Sequence, residues 1–553
     1  METVAEGLAA RAADERPGLV AGDLSWTWAE VVRLSEGRRT LASEHLGRSG
    51  PRHACILLDN TPEFCFWLGA AALGEMVIVG GNPNHRGDEL ARDIAHTDCR
   101  LVVTDSAHIG LIDGLDLGRG IGVAGAGNPR ILVVDSPEYE EAVAGAESVS
   151  DSFPPDPPTI DPSSLGYLIF TSGTSGAPKA VRCSQGRMAF IGTVISQMFG
   201  LGSGDVFYVS MPLFHSNALM AGWSPAVATG GTVALPSQGR FSASGFLRDV
   251  RRHGVTYFNY VGKPLSYILA TEERPDDSEN TLRQVFGNEA ATADVGRFSE
   301  RFGVPVVDGY GSTEGGAAMS RTPETPNGSL GLGINIVIVN TETGEECPRA
   351  LFGDSGGLAN AGEAIGEIVS TSGAAGFEGY WRNDEAERAR VHDGWYWTGD
   401  LGYMDEGGYI YFAGRTDDWL RVDGENFAAA PVARILERHP DVVLAAVYAV
   451  PDEITGDQVM AALQLREGAT FDPRGFAEFL TSQRDLGTKW APRYVRICSE
   501  LPTTATSKIL TRNLRSEGHG CADPVWWRPG GSNVIRYTRL PQEQRAGSPT
   551  TES

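Results

Sequence analysis

A loop of small, hydroxyl-bearing residues constrains this sequence more than any other feature. It follows the apolar, strand-like run Leu165–Phe170 and consists of Thr171, Ser172, Gly173, Thr174, Ser175, Gly176, Ala177, Pro178 and Lys179. Glycine has no Cβ, so backbone N–H groups in such a loop can approach phosphate oxygens, while hydroxyls add hydrogen bonds and Lys179 adds positive charge. The pattern predicts a phosphate-binding loop. It differs from a Walker A loop because the Gly–Lys–Ser/Thr ending is missing.

The chain around this loop alternates helical patterns with short apolar runs. Residues 1–150 contain the runs Ala54–Leu58 and Leu101–Val103 between helix-like segments, and similar signals continue to about residue 340. Such alternation is typical of an α/β fold with helix and sheet layers and mostly parallel sheets. The proline-rich residues 154–158 cannot lie inside a helix or strand, so they predict a surface linker.

The pattern changes near residue 414, which predicts a second, smaller α+β domain. Residues 401–413 are interpreted as a hairpin that turns at Gly407 and Gly408. Beyond it, apolar residues at helical spacing (432–436) precede a strand-like run (442–450). Since 553 residues are too many for one ordinary domain, we expect a large N-terminal domain at 1–416. A small C-terminal domain at 417–530 and a flexible tail at 531–553 complete the predicted organisation.

Composition narrows the class of protein further. A formal net charge of −25 argues against a nucleic-acid partner. The seven scattered cysteines and the absence of a signal-peptide pattern predict reduced thiols and a cytoplasmic location. The apolar stretch 64–81 is interrupted by Glu75 and predicts a buried helix followed by a strand, so membrane contact is expected to be peripheral at most. Whether the chain forms a homo-oligomer stays open.

Further motifs follow the loop in a fixed order. They are DGYGSTE (308–314), YWTGD (396–400), GRTDD (414–418), RVDGEN (421–426) and PTTATSK (502–508). Together with the loop, this set resembles the acyl-adenylate-forming superfamily, which includes acyl-CoA synthetases, nonribosomal peptide adenylation domains and luciferases. The resemblance covers roughly residues 20–520. It implies a large adenylating domain, a small mobile domain, and the joining of an acid to AMP with release of pyrophosphate.

The resemblance also implies which residues bind the nucleotide and the coenzyme. They are Thr171, Ser172, Gly173, Thr174, Ser175, Gly176, Lys179, Gly287, Asn288, Glu289, Asp308, Gly309, Tyr310, Gly311, Ser312, Asp400, Arg415, Arg421 and Gly424. Tyr310 would stack on the adenine, and Asp308 would accept a hydrogen bond from its amino group. Asp400 would accept hydrogen bonds from both ribose hydroxyls, with Arg415 nearby.

The catalytic residues implied by the resemblance are Lys508, His215, Thr313 and Glu314. Thr313 matches a phosphate ligand and Glu314 a magnesium ligand, since Mg²⁺ typically bridges a protein carboxylate and nucleotide phosphates. Lys508 matches the lysine that stabilises negative charge developing on the α-phosphate and the attacking carboxylate. Ser507 precedes it where many members have glycine, as also happens in the very-long-chain acyl-CoA synthetase branch. His215 matches a position beside the acid.

Movement of the small domain and entry of coenzyme A are also implied by the resemblance. Asp417 matches the hinge at which the small domain rotates between the two half-reactions. Gly424 would let the thin pantetheine arm pass, and Arg421 would contact the AMP phosphate.

The motifs at 421–426 and 505–508 resemble the fatty-acid transport and very-long-chain acyl-CoA synthetase branch. The expected activity is therefore adenylation of a fatty, related hydrophobic or aryl acid, followed by transfer to coenzyme A, with ATP and Mg²⁺. The candidate acid-pocket residues are His215, Trp223, Tyr257, Phe258, Asn259, Lys263 and Asn288. An alternative is a diazotase that adenylates nitrite and passes it to an aryl amine. A non-catalytic protein on this fold is a third hypothesis, opposed by the presence of Lys508, Glu314 and Asp400.

Overall fold

The structure is a computed structural model of the chain. It describes residues 1–46, 50–74, 76–117, 128–152, 159–171, 178–321, 324–353, 358–374, 376–415, 419–422, 425–452, 456–483, 486–487, 489–503, 509–528 and 535–541. Within these ranges, none of the helices has both the length and the apolar character that a bilayer-spanning segment requires.

The first part of the chain builds a largely parallel sheet with the strand order β6-β5-β3-β4-β7-β8. Its elements are α1 (Val4–Ala9), β1 (Pro17–Ala21), β2 (Leu24–Thr27), α2 (Trp28–Leu46), β3 (His53–Leu57), α3 (Pro62–Leu73), β4 (Val77–Gly80), α4 (Asp88–His96), β5 (Leu101–Thr104), β6 (Arg130–Val133), α5 (Pro137–Ser152), β7 (Leu165–Phe170) and β8 (Ala180–Ser184). The pair β7–β8 is antiparallel and flanks the predicted phosphate loop. The predicted strand before that loop is confirmed, as is the buried helix and strand pair in residues 64–81.

The middle of the chain builds a second sheet with the order β13-β12-β11-β9-β10-β1-β2. Its further elements are α6 (Gln185–Phe199), β9 (Val206–Val209), a π-helical segment (Ala218–Trp223), α7 (Ser224–Thr229), β10 (Thr232–Leu235), α8 (Phe246–His253), β11 (Tyr257–Val261), α9 (Pro264–Leu269), β12 (Gln284–Asn288), α10 (Thr292–Phe302) and β13 (Val306–Gly309). All of its pairs are parallel except β1–β2. The mostly parallel sheets predicted for the large domain are therefore confirmed.

A single apolar core joins the two sheets. It contains residues from β3, β4 and β7 of the first sheet, from β9, β10 and β11 of the second, and from α1, α2, α3 and α6 between them. The helix α3 illustrates how the sequence builds this core. Thr61 caps its first turn by accepting a hydrogen bond from the Phe64 N–H (3.4 Å), Pro62 occupies the first turn, and the Trp67 side chain is fully buried.

A third sheet is antiparallel and has the order β14-β15-β20-β19-β17-β16. Its elements are β14 (Met319–Ser320), β15 (Gly331–Gly333), β16 (Ile336–Val339), α11 (Ala361–Ala364), β17 (Gly366–Ser370), α12 (Asp384–Arg390), β18 (Val391–His392), β19 (Trp395–Met404) and β20 (Tyr409–Arg415). The predicted hairpin is confirmed as β19–β20. Gly408 has φ +81° in its turn, a left-handed conformation that glycine adopts without strain.

The C-terminal part forms its own sheet, with the order β22-β21-β24-β25-β26-β27 and β23 paired to β24. Its elements are β21 (Trp419–Val422), β22 (Glu425–Ala428), α13 (Ala429–Leu436), β23 (Val442–Asp452), β24 (Gly456–Leu465), α14 (Pro473–Ser482), β25 (Tyr494–Cys498), α15 (Thr511–Glu517), β26 (Val525–Trp527) and β27 (Thr538–Arg539). This sheet has separate apolar cores, and the predicted helix and strand at 432–450 are confirmed. An ion pair of 2.6 Å between Lys263 Nζ and Glu437 Oε1 links it to α9 of the large domain.

Candidate active site

The predicted adenine-binding residues lie at the carboxyl ends of β12 and β13 in the second sheet. The two strands pair in register, with Gly287 opposite Asp308 and Asn288 opposite Gly309. A Cβ on Gly287 would lie 2.5 Å from the Tyr260 carbonyl oxygen, so no larger residue fits there. In parallel α/β sheets, ligands bind in the crevice beyond the carboxyl ends of the strands. The placement of this segment agrees with that rule.

The backbone after β12 is strained. Glu289 has φ +66°, a left-handed conformation that is uncommon for residues other than glycine. The preceding residue, Asn288, donates from Nδ2 to the Gly309 carbonyl (2.9 Å) and so joins the ends of the two strands. Strained backbone that is held by surrounding hydrogen bonds is concentrated at binding sites.

The Asp308 carboxylate lies under this crevice. Its Oδ2 accepts hydrogen bonds from the Tyr260 hydroxyl (2.6 Å) and from the Ala290 N–H (3.0 Å). Burial raises the pKa of Asp308 to about 6, against the opposing effect of these two hydrogen bonds. Both bonds end on Oδ2, so neither occupies Oδ1, the oxygen that an adenine amino group would need.

The predicted ribose-binding residues come from the third sheet and meet Tyr310. The Tyr310 hydroxyl donates to Asp400 Oδ2 (2.7 Å), and Arg415 Nε lies 3.3 Å from Asp400 Oδ1. Asp400 and Arg415 are opposite each other in the β19–β20 pairing. The second and third sheets therefore meet at this aspartate, between the predicted adenine and phosphate positions.

Thr313 and Glu314, which are predicted to bind phosphate and magnesium, follow Tyr310 closely in the chain. The hydroxyls of Thr313 and Ser216 are 2.8 Å apart, which places Thr313 beside the segment that contains His215. Arg187 Nη2 donates to the Thr313 carbonyl (2.6 Å). Glu314 is buried, and its Oε1 accepts a hydrogen bond from the Tyr380 hydroxyl (2.9 Å).

The predicted phosphate loop closes at its base, where the Thr171 N–H donates to the Lys179 carbonyl (3.1 Å). The strand that follows the loop is adjacent to the Glu314 region, because Val181 forms an antiparallel bridge with Tyr380. Several predicted residues lie outside the described residues: Ser172, Gly173, Thr174, Ser175, Gly176, Asp417, Gly424 and Lys508. The backbone of Arg421 is described in β21, opposite Asn426, but its side chain is not.

The chain contains the donors that magnesium bound with ATP would need. Among the described residues, no group of three or more His, Cys, Asp or Glu side chains converges on a metal site. Glu314, which directly follows Thr313 in the chain, supplies one buried carboxylate. Mg²⁺ prefers one or two carboxylates together with water and substrate phosphates, so this donor set fits a magnesium ion that arrives with ATP.

Two family profiles cover most of the chain. The profile described as AMP-binding enzyme matches residues 8–381, and the profile described as AMP-binding enzyme C-terminal domain matches residues 432–508. The chain belongs to the AMP-binding enzyme family. The family resemblance deduced from the motifs is confirmed.

Two similar proteins and one solved structure show which AMP-binding enzymes this chain resembles. The steroid-22-oyl-CoA synthetase of Rhodococcus jostii (strain RHA1) is 50% identical over 98% of this chain and 96% of its own length. The medium/long-chain-fatty-acid–CoA ligase of Mycobacterium marinum (strain ATCC BAA-535 / M) is 48% identical over 92% and 95%. The crystal structure of ATP-bound MatB from Rhodopseudomonas palustris has the same fold, with a TM-score of 0.76, 22% identity and coverage of 93% and 98%. Because these relatives are named as CoA-thioester-forming enzymes, the comparison favours thioester formation over the diazotase alternative.

Some residues of this AMP-binding enzyme that contact the predicted site were missed by sequence reasoning. Ser216 follows His215 directly, so its position beside the site could have been inferred from that motif. Tyr260 is one of five buried residues of β11, and Tyr380 is 66 positions from the Glu314 that it contacts. No spacing rule connects such distant partners, because the contact depends on the tertiary fold.

The predicted acid-pocket residues do not all lie together. Tyr257 belongs to the core shared by the two sheets, whereas its neighbour Phe258 packs on the opposite face of β11 with α8 and α10. Lys263 forms an ion pair with Glu437 of the C-terminal part. Trp223, at the end of the π-helical segment, is buried and touches Tyr167 edge to face at 6.4 Å. Alternation along a strand explains why adjacent candidates separate.

Proposed function

We propose that this AMP-binding enzyme is an ATP-dependent acyl-CoA ligase for a large hydrophobic carboxylic acid. The observation that carries the proposal is the hydrogen bond of Tyr310 to Asp400, in the same short segment (310–314) that contains Thr313 and the buried Glu314. The two relatives at 50% and 48% identity are named for a steroid acid and for medium- and long-chain fatty acids. Both names specify an acid that is largely hydrocarbon, which supports the same substrate class here.

The first half-reaction joins the acid to AMP. A carboxylate oxygen attacks the α-phosphorus of ATP, the bond from that phosphorus to the bridging oxygen breaks, and pyrophosphate leaves. Asp308, Tyr310 and Asp400 would hold the adenosine, while Thr313 and the loop 171–179 would hold the phosphates. Magnesium, when bound with ATP, would neutralise phosphate charge at Glu314. The Lys508 ammonium would stabilise the charge that develops in the transition state.

The second half-reaction transfers the acyl group to coenzyme A. The thiolate sulfur attacks the acyl carbonyl carbon, and AMP leaves with the electron pair of the broken C–O bond. We assign the hinge for the change between the two half-reactions to Asp417, with the large domain at 1–416, the small domain at 417–530 and a tail at 531–553. Gly424 would line the pantetheine path, and Arg421 would contact the AMP phosphate. ATP and coenzyme A are cytoplasmic substrates, and we place the enzyme in that compartment.

The acid would bind between the π-helical segment Ala218–Trp223 and β11. The six residues of this segment are all buried, and π-helical turns are frequent at functional sites. Beside it, Asn259 Nδ2 donates to Asn217 Oδ1 (2.7 Å) deep in the core. His215 precedes the segment and would orient the carboxylate. A largely apolar lining with a few fixed polar groups is typical of a small-molecule pocket.

The test is pyrophosphate release by the purified protein with ATP and magnesium. The acids would be steroid side-chain acids, medium- and long-chain fatty acids, short-chain acids and benzoate, each with and without coenzyme A. We expect pyrophosphate with the large hydrophobic acids and a thioester only when coenzyme A is present. Lys508→Ala should abolish acid-dependent release. The proposal would be contradicted if none of the carboxylic acids caused pyrophosphate release. It would also be contradicted if an acid caused release but no thioester formed when coenzyme A was present.

A further inference from the structure

A buried hydrogen bond joins Tyr380 and Glu314. The Tyr380 hydroxyl donates to Glu314 Oε1 (2.9 Å). Burial raises the pKa of Tyr380, and the nearby Arg390 guanidinium opposes that rise. Tyr380 is 2% exposed and Glu314 is 8% exposed, so water does not compete freely for these groups. Glu314 and Tyr380 are 66 positions apart in the chain, so their contact depends on the fold.

Contacts that do not involve Glu314 hold Tyr380 in place. Its backbone forms the bridge with Val181, the strand residue two positions after Lys179. Its ring packs against Phe377, with centroids 4.9 Å apart, and shares a small apolar cluster with Tyr396. The direction of the hydroxyl is therefore fixed by the scaffold, and the carboxylate of Glu314 must adapt to it.

The chemistry of the two groups determines the direction of their hydrogen bond. An ionised carboxylate only accepts, and a tyrosine hydroxyl has one proton to donate. The single Tyr380 proton is therefore directed to Glu314 Oε1. The carboxylate is then held by one oxygen, and its rotation about the last side-chain bond is restricted. Near this pair, Arg390 donates to the Trp397 carbonyl (3.3 Å), in the segment that leads to Asp400.

We propose that Tyr380 is a positioning residue that fixes the Glu314 carboxylate in the orientation required by the magnesium ion of bound MgATP. This inference rests on the proposed function, since it takes Glu314 as the magnesium ligand. Tyr380 does not touch the nucleotide in this assignment. It acts through Glu314, while the nearby Arg390 contacts the segment that leads to Asp400.

The test is the affinity for ATP with magnesium and with EDTA, measured by calorimetry in the absence of acid. Tyr380→Phe removes only the hydroxyl. We expect it to weaken ATP binding about tenfold in magnesium, the size expected for losing a hydrogen bond to a charged group. Binding in EDTA should stay at the wild-type value. In a Glu314→Gln background, Tyr380→Phe should have little further effect, because the two changes remove the same interaction.

A matched control is available in the same domain. The Tyr208 hydroxyl also donates to a buried carboxylate, Asp249 Oδ2 (3.0 Å), far along the second sheet. Tyr208→Phe should lower thermal stability without changing the ratio of ATP affinities in magnesium and EDTA. If Tyr380→Phe does not fold, Arg390→Gln removes the positive charge near Tyr380 and should lower the same ratio, by less than tenfold.

The outcomes separate this inference from the proposed function. Equal losses of ATP affinity in magnesium and EDTA, or an undiminished effect of Tyr380→Phe in the Glu314→Gln background, would overturn the positioning role while leaving the ligase assignment intact. Wild-type protein that gains no ATP affinity from magnesium would overturn the role of Glu314, and the positioning role with it.

Discussion

The nucleotide side and the acid side of the site are built in opposite ways. On the nucleotide side, polar groups from separate elements hydrogen-bond one another, as Tyr310 does with Asp400 (2.7 Å) and Tyr380 with Glu314 (2.9 Å). On the acid side, the proposed lining is packed into the core, and Trp223 and Tyr257 are 2% and 0% exposed. One side is defined by the positions of individual atoms, and the other by the shape of its packing.

This difference explains why one side could be read from the sequence and the other could not. Binding of phosphate, ribose and magnesium needs particular donors and acceptors at particular distances, so the residue types are restricted and appear as motifs. An apolar cavity needs only a suitable volume, and many combinations of side chains fill a similar space. The following predictions test whether the two sides differ in this way when single groups are removed.

The largest effect is expected on the nucleotide side, from Asp400→Ala. The change removes the proposed acceptor for both ribose hydroxyls and the partner of the Tyr310 hydroxyl. Hydrogen bonds to a charged group contribute roughly 1.5–3 kcal/mol each, so the loss of two should lower kcat/KM for ATP by about 100-fold or more. The measurement is pyrophosphate release at varied ATP, with the acid held at saturation.

Asp405→Ala is the matched control for this substitution. Asp405 lies in the turn of the same hairpin and accepts hydrogen bonds from the Tyr409 N–H (2.9 Å) and the Tyr411 hydroxyl (3.1 Å). Removing it costs hairpin stability at the end that is distant from the nucleotide, so kcat/KM for ATP should stay near wild type. Similar losses in both variants would mean that Asp400 acts through the hairpin fold and not as a ligand.

Much of the fold could be predicted because its signals are local. The β19–β20 hairpin followed from Gly407 and Gly408, and the strand β7 followed from an apolar run. The order of the sheets could not be predicted, since β1 pairs with β10 and Leu19 lies opposite Val233, more than two hundred residues away. Pairing over such a distance depends on which apolar faces pack together, and one sequence does not record that choice.

The same contrast between local motifs and distant contacts applies to the candidate site. Asp308, Tyr310, Thr313 and Glu314 could be proposed as site residues because they occupy one motif. The structure places Asp308 in β13 and the other three in the segment that follows it. Their supporting partners were not found, because support is given by any donor that packs at the right distance. Roles assigned to residues outside the described ranges, Lys508 above all, remain predictions.

An intermediate effect, on the stability of the folded protein, is expected from Asp308→Asn. This substitution tests whether the polar groups of the nucleotide side lower that stability. Burial raises the pKa of Asp308 to about 6 from an ordinary value of 3.8. The folded state therefore disfavours the charged form, and the wild type should lose stability relative to Asp308→Asn as pH rises from about 4 to 6. The loss should amount to about 1–3 kcal/mol and stay constant above that range.

The measurement is the thermal-unfolding midpoint of both proteins without nucleotide, from about pH 3 to pH 8. The two curves should nearly coincide at about pH 3, below both pKa values, where the carboxyl group is mostly neutral in folded and unfolded chains. They should separate towards pH 6, with Asp308→Asn the more stable. Parallel curves over the whole range would show that Asp308 does not carry this penalty. ATP binding by Asp308→Asn at pH 8 separates the structural effect from the proposed contact with adenine.

The smallest effect is expected on the acid side, from Tyr257→Phe. The Tyr257 ring is fully buried against Phe199 and Phe207, and its hydroxyl has no hydrogen-bond partner among the described residues. A buried hydroxyl without a partner destabilises the folded state, so its removal should stabilise the protein by about 1 kcal/mol. Tyr208→Phe, which breaks a hydrogen bond to Asp249, should instead lower stability.

If Tyr257→Phe lowers stability, or lowers kcat/KM for one acid and spares others, the hydroxyl has a partner in the pocket. The acid side would then also be defined by individual polar atoms, and its difference from the nucleotide side would be one of degree.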